Sequence, residues 1–375
     1  MSEDDLKSPI VNCHIHTFTL DHVPNKFLPL GLTKALQTKR RGLAKWLGKG
    51  LTWVNPFSDR DRFSRFADFL RTSAGRSQKE IFQEVQSFYP PKSQFIVLPM
   101  DMAFMHAGKP KAEIKDQHEE LARLALESRG TLLPFVAVDP RRFANGQEML
   151  ENARSWFERK QDNGDRIFRG VKLYPPQGYS CADPIFHPLF DFCQSHRLPI
   201  MTHCSRGGVH TREFPMRTRR AQVEALTDPD VYREVCRKFP DLKICLAHFG
   251  GDDDWEKYFK EPSSREKVDV DASTSERSKM NWLSKIVQMI EHDEFDNLYT
   301  DISYTIFNVE DHLSTLSVFL RGSPKLRNRV LFGSDYYMTH KEKFDERYLS
   351  MKLCHELGEQ IFDEIARKNP TDFLH

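Results

Sequence analysis

Net charge is almost absent from this chain: 55 basic residues stand against 54 acidic ones, a formal balance of +1 over 375 residues. Such a balance offers no electrostatic footprint for nucleic acid, so none is expected as a partner. Long uncharged apolar runs are missing too, and the mean hydropathy is -0.59, which argues against a membrane span. The opening MSEDDLKSP is acidic and polar, unlike a secretory leader. The seven cysteines are odd in number and form no C-x-x-C. They point to free thiols in a reducing compartment rather than a disulfide framework, and a cytoplasmic location is expected. No G-x-G-x-x-G follows the first apolar run, which removes the main signal for a doubly wound dinucleotide-binding sheet. Internal repeats and low-complexity tracts are also lacking.

What is present is alternation. Eight short apolar runs, at 10–16, 94–101, 131–139, 167–175, 198–204, 242–250, 297–303 and 329–336, are separated by amphipathic segments such as DQHEELARLALESRG and QEMLENARSWFERK. Near-continuous hydrophobic runs suit parallel strands covered on both faces. Eight β units with helices between them predict an α/β fold, a (β/α)8 TIM-like barrel, as one domain over 1–375. The spacing breaks after the first run, where residues 21–92 form a long helical insertion. There SQKEIFQEVQSFY opens with the capping-box pair Ser77 and Glu80. Upstream, segment 33–50 carries Lys34, Lys39, Arg40, Arg41, Lys45 and Lys49 without an acid between them. It reads either as an anion-attracting or membrane-surface helix, or as a solvated cap packing Leu36, Leu43, Trp46 and Leu47 on the barrel. A second excursion spans 251–296. Both should roof the mouth of the barrel, because the loops after the strands build that face.

Polar residues stop the apolar runs. His14 and His16 close the first, and residues i and i+2 of a strand share a face. Lys172 stands near the end of the fourth run, His203 ends the fifth, His248 the sixth and Asp335 the eighth. In a barrel these ends open on one mouth, and this mixture of imidazole and carboxylate suits Zn2+, Mn2+ or Fe2+. One histidine in an apolar strand is ordinarily a hydrogen-bonded core residue; four of them with an aspartate at matched ends point to a metal. On the loop CSRGGVHTR, Arg206, His210 and Arg212 either hold a substrate carboxylate or are solvated loop residues. Asp301 either orients a ligand or caps the next helix, and the acids of GDDDW suit a helix N-terminus. Cys13 and Cys204 read as barrel packing. Tyr179 belongs to the rigid turn PPQGY but could reach substrate, while Tyr304, Phe307 and Met338 line a pocket or pack.

The segments HIH (14–16), GVKLYP (170–175), THC (202–204), AHFGG (247–251) and FGSDY (332–336) resemble, in this order, the motifs of the amidohydrolase superfamily. More narrowly they resemble the branch containing aminocarboxymuconate-semialdehyde decarboxylase, resorcylate-type decarboxylases and lactone hydrolases. The closing IARKNPTDFL is similar to that branch's last helix. The resemblance implies that His14, His16, His203 and Asp335 bind a divalent metal, with Zn2+ the first expectation. Asp335 would also take a proton from a metal-held water and later return it. His248 would polarise substrate or move a proton, or would ligate a second ion. Lys172 would bridge two metals if carboxylated; otherwise its ammonium would hold a substrate anion. The decarboxylases of this branch use one metal without such a bridge. Asn12 departs from the aspartate that many relatives carry two residues before the first histidine, which puts support of the ligands in doubt. The implied reaction is hydrolysis of a C–N or C–O bond in an amide, lactone or ester through metal-bound hydroxide. The alternative is non-oxidative decarboxylation of an unsaturated or aromatic acid, and a third reading is a catalytically retired barrel with a binding role. A small carboxylate-bearing substrate is the expected partner, and a homodimer is compatible with the fold.

Overall fold

The apolar runs become short parallel strands buried on both faces: β1 Val11–Ile15, β2 Gln94–Val97, β3 Leu132–Pro134, β4 Val136–Ala137, β5 Val171–Leu173, β6 Ile200–Ser205, β7 Ile244–Gly250, β8 Leu298–Asp301 and β9 Val330–Leu331. These come from a computed structural model that describes residues 8–27, 33, 34, 37, 69, 72, 73, 75–261, 263, 274–277, 279–292, 295–303, 309–338 and 345–375. Most of the basic segment 33–50, and both Tyr304 and Phe307, lie outside the described residues. One sheet orders β1-β2-β3 and the other β4-β5-β6-β7-β8-β9, with every pairing parallel.

Nine strands arise from eight runs because the third run changes partner at Phe135. Its N–H donates to Val97 O of β2 at 3.0 Å, and the next, from Val136, donates to Gly170 O ahead of β5 at 2.8 Å. The last run returns to the first in the same way. Cys13 N donates to Phe332 O (2.8 Å), Asp335 N to His14 O (2.9 Å) and His16 N to Tyr336 O (2.6 Å), and Ile15 bridges Tyr336 in parallel.

Inside the strands, Val11, Cys13, Ile96, Phe135, Met201 and Cys245 belong to one buried cluster. Between the strands lie α1 Gln78–Gln86, α2 Ile114–Glu127, α3 Gly146–Phe157, α4 His187–Ser195, α5 Arg219–Thr227, α6 Val231–Lys238, α7 Asp252–Lys260, α8 Trp282–Glu291 and α9 Val309–Gly322, and α10 Glu346–Leu357 follows the last strand. Helix α1 begins with the expected capping box, the Ser77 side chain on Glu80 N and the Glu80 side chain on Ser77 N. It buries Ile81, Phe82 and Val85, the spacing of one helical face. Asp252, Asp253 and Asp254 occupy the first turn of α7, where carboxylates oppose the helix dipole. All seven cysteines are free thiols. Among the described residues, no helix is long and apolar enough to cross a membrane.

Candidate metal centre

The junction of the first and last runs brings His14, His16 and Asp335 together. Asp335 Oδ1 lies 3.2 Å from His16 Nε2 and 3.7 Å from His14 Nε2, and all three residues are buried. The outer nitrogens are already engaged. His16 Nδ1 meets Leu98 O at 2.7 Å, and His14 Nδ1 meets Asp301 Oδ2 at 2.9 Å. A carbonyl and a carboxylate only accept, so both rings carry hydrogen at Nδ1, which leaves Nε2 as the nitrogen of each ring that faces Asp335. Burial pushes the His14 pKa well below its ordinary value, which keeps that ring neutral. His14 Nε2 and Asp335 Oδ1 are buried without a hydrogen-bond partner among the described residues. Buried polar atoms ordinarily find partners. Two imidazole nitrogens and a carboxylate oxygen converging on one point are a donor set for a divalent cation, and the residues fit such an ion.

Asp301 is the residue sequence reasoning undervalued. Its Oδ2 meets Nδ1 of the candidate ligand His14, so it orients that ring. Besides His14, its Oδ1 accepts from the backbone N–H groups of His248 and Ser303, both at 3.0 Å, and from the Ser303 hydroxyl. Nothing in the sequence points to Ser303. Its Oγ lies 3.1 Å from His14 Nδ1 and 3.0 Å from His248 Nδ1, on a segment with no motif to mark it. His14, His248 and Asp301 form a second close group of potential ligands. The Asp301 oxygens are already engaged within the protein, so this group reads as support for the first.

His203 stands beside His248 rather than beside Asp335. Its Nδ1 is 3.0 Å from His248 Nε2, and its Nε2 faces Gly207 O at 3.0 Å and Ser205 Oγ at 3.1 Å. Burial pushes the His203 pKa down to about 3 and that of His248 well below normal, so this pair is neutral. His248 in turn packs against His14, with ring centroids 4.8 Å apart. The backbone around these groups is unusual. His248 (φ 74°), Phe249 (φ 44°) and Asp335 (φ 56°) are all in the left-handed region that favours glycine. The Tyr174 ring lies over His203 with centroids 4.8 Å apart, and its hydroxyl accepts from Val209 N at 2.8 Å. Gly208 between them has φ +109°, and a Cβ there would come within 2.7 Å of the Tyr174 oxygen.

Lys172 is fully buried, and its Nζ has no hydrogen-bond partner among the described residues. Burial lowers its pKa to about 8, while Asp301 and Asp335 pull the other way. The loop after β6 fits the expected carboxylate clamp less well. Arg206 is held by Asp254 (2.7 Å) and Glu224 (3.0 Å) and lies over Trp282. Arg212 donates to Lys26 O and Phe27 O at 2.9 and 2.6 Å. Of the three loop candidates, His210 keeps a buried Nε2 with no partner among the described residues. Tyr179 is committed elsewhere, accepting from Tyr174 N and donating to Val138 O. Met338 packs partly buried against the core.

Parallel strands with polar residues gathered at their ends, and a half-built ligand set among them, describe a class of metal-dependent barrels. Residues 98–375 match the family described as Amidohydrolase, and the chain belongs to that family. Solved structures share the fold at low identity. An uncharacterized TIM-barrel protein from Bordetella bronchiseptica is 14% identical with a TM-score of 0.56, covering 98% of both chains. The 5-carboxyvanillate decarboxylase of Novosphingobium aromaticivorans, solved with manganese and 4-hydroxy-3-methoxy-5-nitrobenzoic acid, is 13% identical with a TM-score of 0.55, covering 98% of this chain and 96% of that one. A 2,6-dihydroxybenzoate decarboxylase from Rhizobium is 12% identical with a TM-score of 0.52, covering 98% and 99%. No curated protein matches the chain.

Proposed function

We propose that this amidohydrolase-family enzyme is a one-metal, non-oxidative decarboxylase of an aromatic or unsaturated carboxylic acid. The observation that carries the reading is Lys172: a buried cation with no hydrogen-bond partner among the described residues, within electrostatic reach of Asp301 and Asp335. An ammonium there suits an anionic group brought directly to the reacting centre, whereas Arg206 and Arg212 are consumed by their own chain. Decarboxylases of carboxylated and hydroxylated benzoates among the structures of like fold support it.

His14, His16 and Asp335 would hold the metal. When bound, the ion supplies Lewis-acid stabilisation of negative charge developing on substrate oxygen. Lys172 binds the carboxylate as a point charge. Asp301 and Ser303 keep His14 in the tautomer that presents Nε2. Asp335 would take a proton from water and pass it on: the bond from substrate carbon to the carboxylate breaks, the electron pair stays on carbon, that carbon takes the proton, CO2 leaves, and the hydroxide left by the water joins CO2 as bicarbonate. No oxidant is needed. Hydrolysis of an amide, lactone or ester is the second reading, favoured by the family description Amidohydrolase; it would run on the same single ion, since the His14–His248–Asp301 group is engaged within the protein.

The test is CO2 release from a panel of hydroxybenzoates and unsaturated acids by Mn2+-loaded protein, run beside amide and lactone panels. Lys172→Met should raise KM about tenfold or more while leaving the metal content intact. Cleavage of amides or lactones without any CO2 release overturns the decarboxylase reading.

A further inference from the structure

Asn12 is completely buried, and every hydrogen-bonding position of its side chain is used. Its Oδ1 accepts from the backbone N–H groups of His14 and Ser334, both at 3.2 Å. Backbone N–H groups only donate, so they fix which end of the amide is oxygen. The Nδ2 end therefore donates, to Ser334 Oγ at 2.8 Å and to the Tyr89 hydroxyl at 2.9 Å. Since the Tyr89 oxygen receives that hydrogen, its own proton points at Glu346, whose Oε1 lies 2.6 Å away. Tyr89 and Glu346 are also buried. The chain from Asn12 through Tyr89 thus runs in one direction and ends on the Glu346 carboxylate.

Its position matters more than its burial. One amide grips His14 on the first run and Ser334, the neighbour of Asp335, on the last. We propose that Asn12, Tyr89 and Glu346 are positioning residues whose one-way hydrogen-bond chain holds these two runs in the register that brings His14 and Asp335 onto one metal. The proposal rests on the metal-centre reading above. It makes the amide at 12 and the carboxylate at 346 a matched pair. An aspartate at 12 has no hydrogen to give Tyr89; the tyrosine proton would turn toward it, and Glu346, whose pKa burial raises to about 7, would either face the Tyr89 oxygen as a second acceptor or have to take up a proton to meet it. A glutamine at 346 removes the conflict, because it presents either an acceptor or a donor to Tyr89.

The experiment is a double-mutant cycle on the full chain, reading the Mn2+ dissociation constant by calorimetry and the thermal midpoint of the metal-free protein. Asn12→Asp should weaken Mn2+ binding about tenfold or more, in the range found for groups that orient ligands. Adding Glu346→Gln should recover affinity to within about threefold of the wild type, a non-additive result. Additive losses, or Asn12→Asp binding as the wild type does, overturn the proposal. If Asn12→Asp does not fold, Tyr89→Phe removes the middle of the chain without adding charge, and unchanged affinity in that variant is equally fatal. A wild type that binds no Mn2+ removes the metal-centre reading and this inference together, whereas additive losses on a metal-binding wild type remove the inference alone.

Discussion

At the scale of single residues, the centre depends on which nitrogen of each ring is left free. Asp301 Oδ2 at 2.9 Å from His14 Nδ1 settles this for His14, and Leu98 O at 2.7 Å settles it for His16. The two supports differ in kind, because a backbone carbonyl cannot be mutated away and a carboxylate can. Asp301→Asn puts an amide where a doubly used acceptor stood, so at least one of the groups around it faces a donor. Its Mn2+ affinity should fall about 10- to 100-fold with the apo-protein still folded. Metal titration of the variant against wild type checks this, and an unchanged dissociation constant would show that His14 holds its tautomer without help. Lys172 is the opposite case. It makes no hydrogen bond among the described residues, and Asp301 and Asp335 offset its burial only in part, since its pKa still falls to about 8.

At the scale of elements, the strand ends were legible and the loops were not. A strand end is a local signal: an apolar run stops at a polar residue, and the parallel arrangement puts all such ends on one side. That is why His14, His16 and Asp335 could be grouped from spacing and a resemblance. The role of Arg206 depends instead on Asp254, 48 residues away, and on Met280 O, 74 residues away, partners that no local pattern announces. His203 could be placed at the mouth but not paired, since its contact with His248 joins two separate strands. Arg206 ties the loop after β6 to α5, through Glu224, and to α7, through Asp254. Asp254 is fully buried, so Arg206→Ala strands its carboxylate and should cost about 3–5 kcal/mol of stability. Denaturant unfolding measures that loss. A variant of full stability with a raised KM would instead return Arg206 to the substrate clamp expected from sequence.

At the scale of the whole molecule, the helical layer is sealed against the strands by polar residues as well as apolar ones, and one of them makes stability depend on pH. His118 on α2 lies between Trp156 of α3 and Phe168, with ring centroids 4.9 and 5.6 Å away. Its Nε2 accepts the Ala137 N–H of β4 at 3.0 Å, so the neutral ring joins helix to sheet. Burial lowers its pKa from 6.5 to about 3, and the nearby Arg142 pushes the same way. The unfolded chain therefore binds a proton at this residue below pH 6.5, while the folded chain does not until about pH 3. Stability from this residue is complete above 6.5 and declines as the pH falls through that window, by about 2 kcal/mol at pH 5. His118→Gln retains an acceptor for Ala137 N but cannot titrate. Whatever the variant loses at pH 7, its further loss between pH 7 and pH 5 should be smaller than that of the wild type by about 2 kcal/mol. Urea unfolding at the two pH values gives the comparison. Equal losses in the two proteins would mean that His118 takes up its proton in the folded state, and that the seam between α2 and the strands opens far more readily than its packing implies.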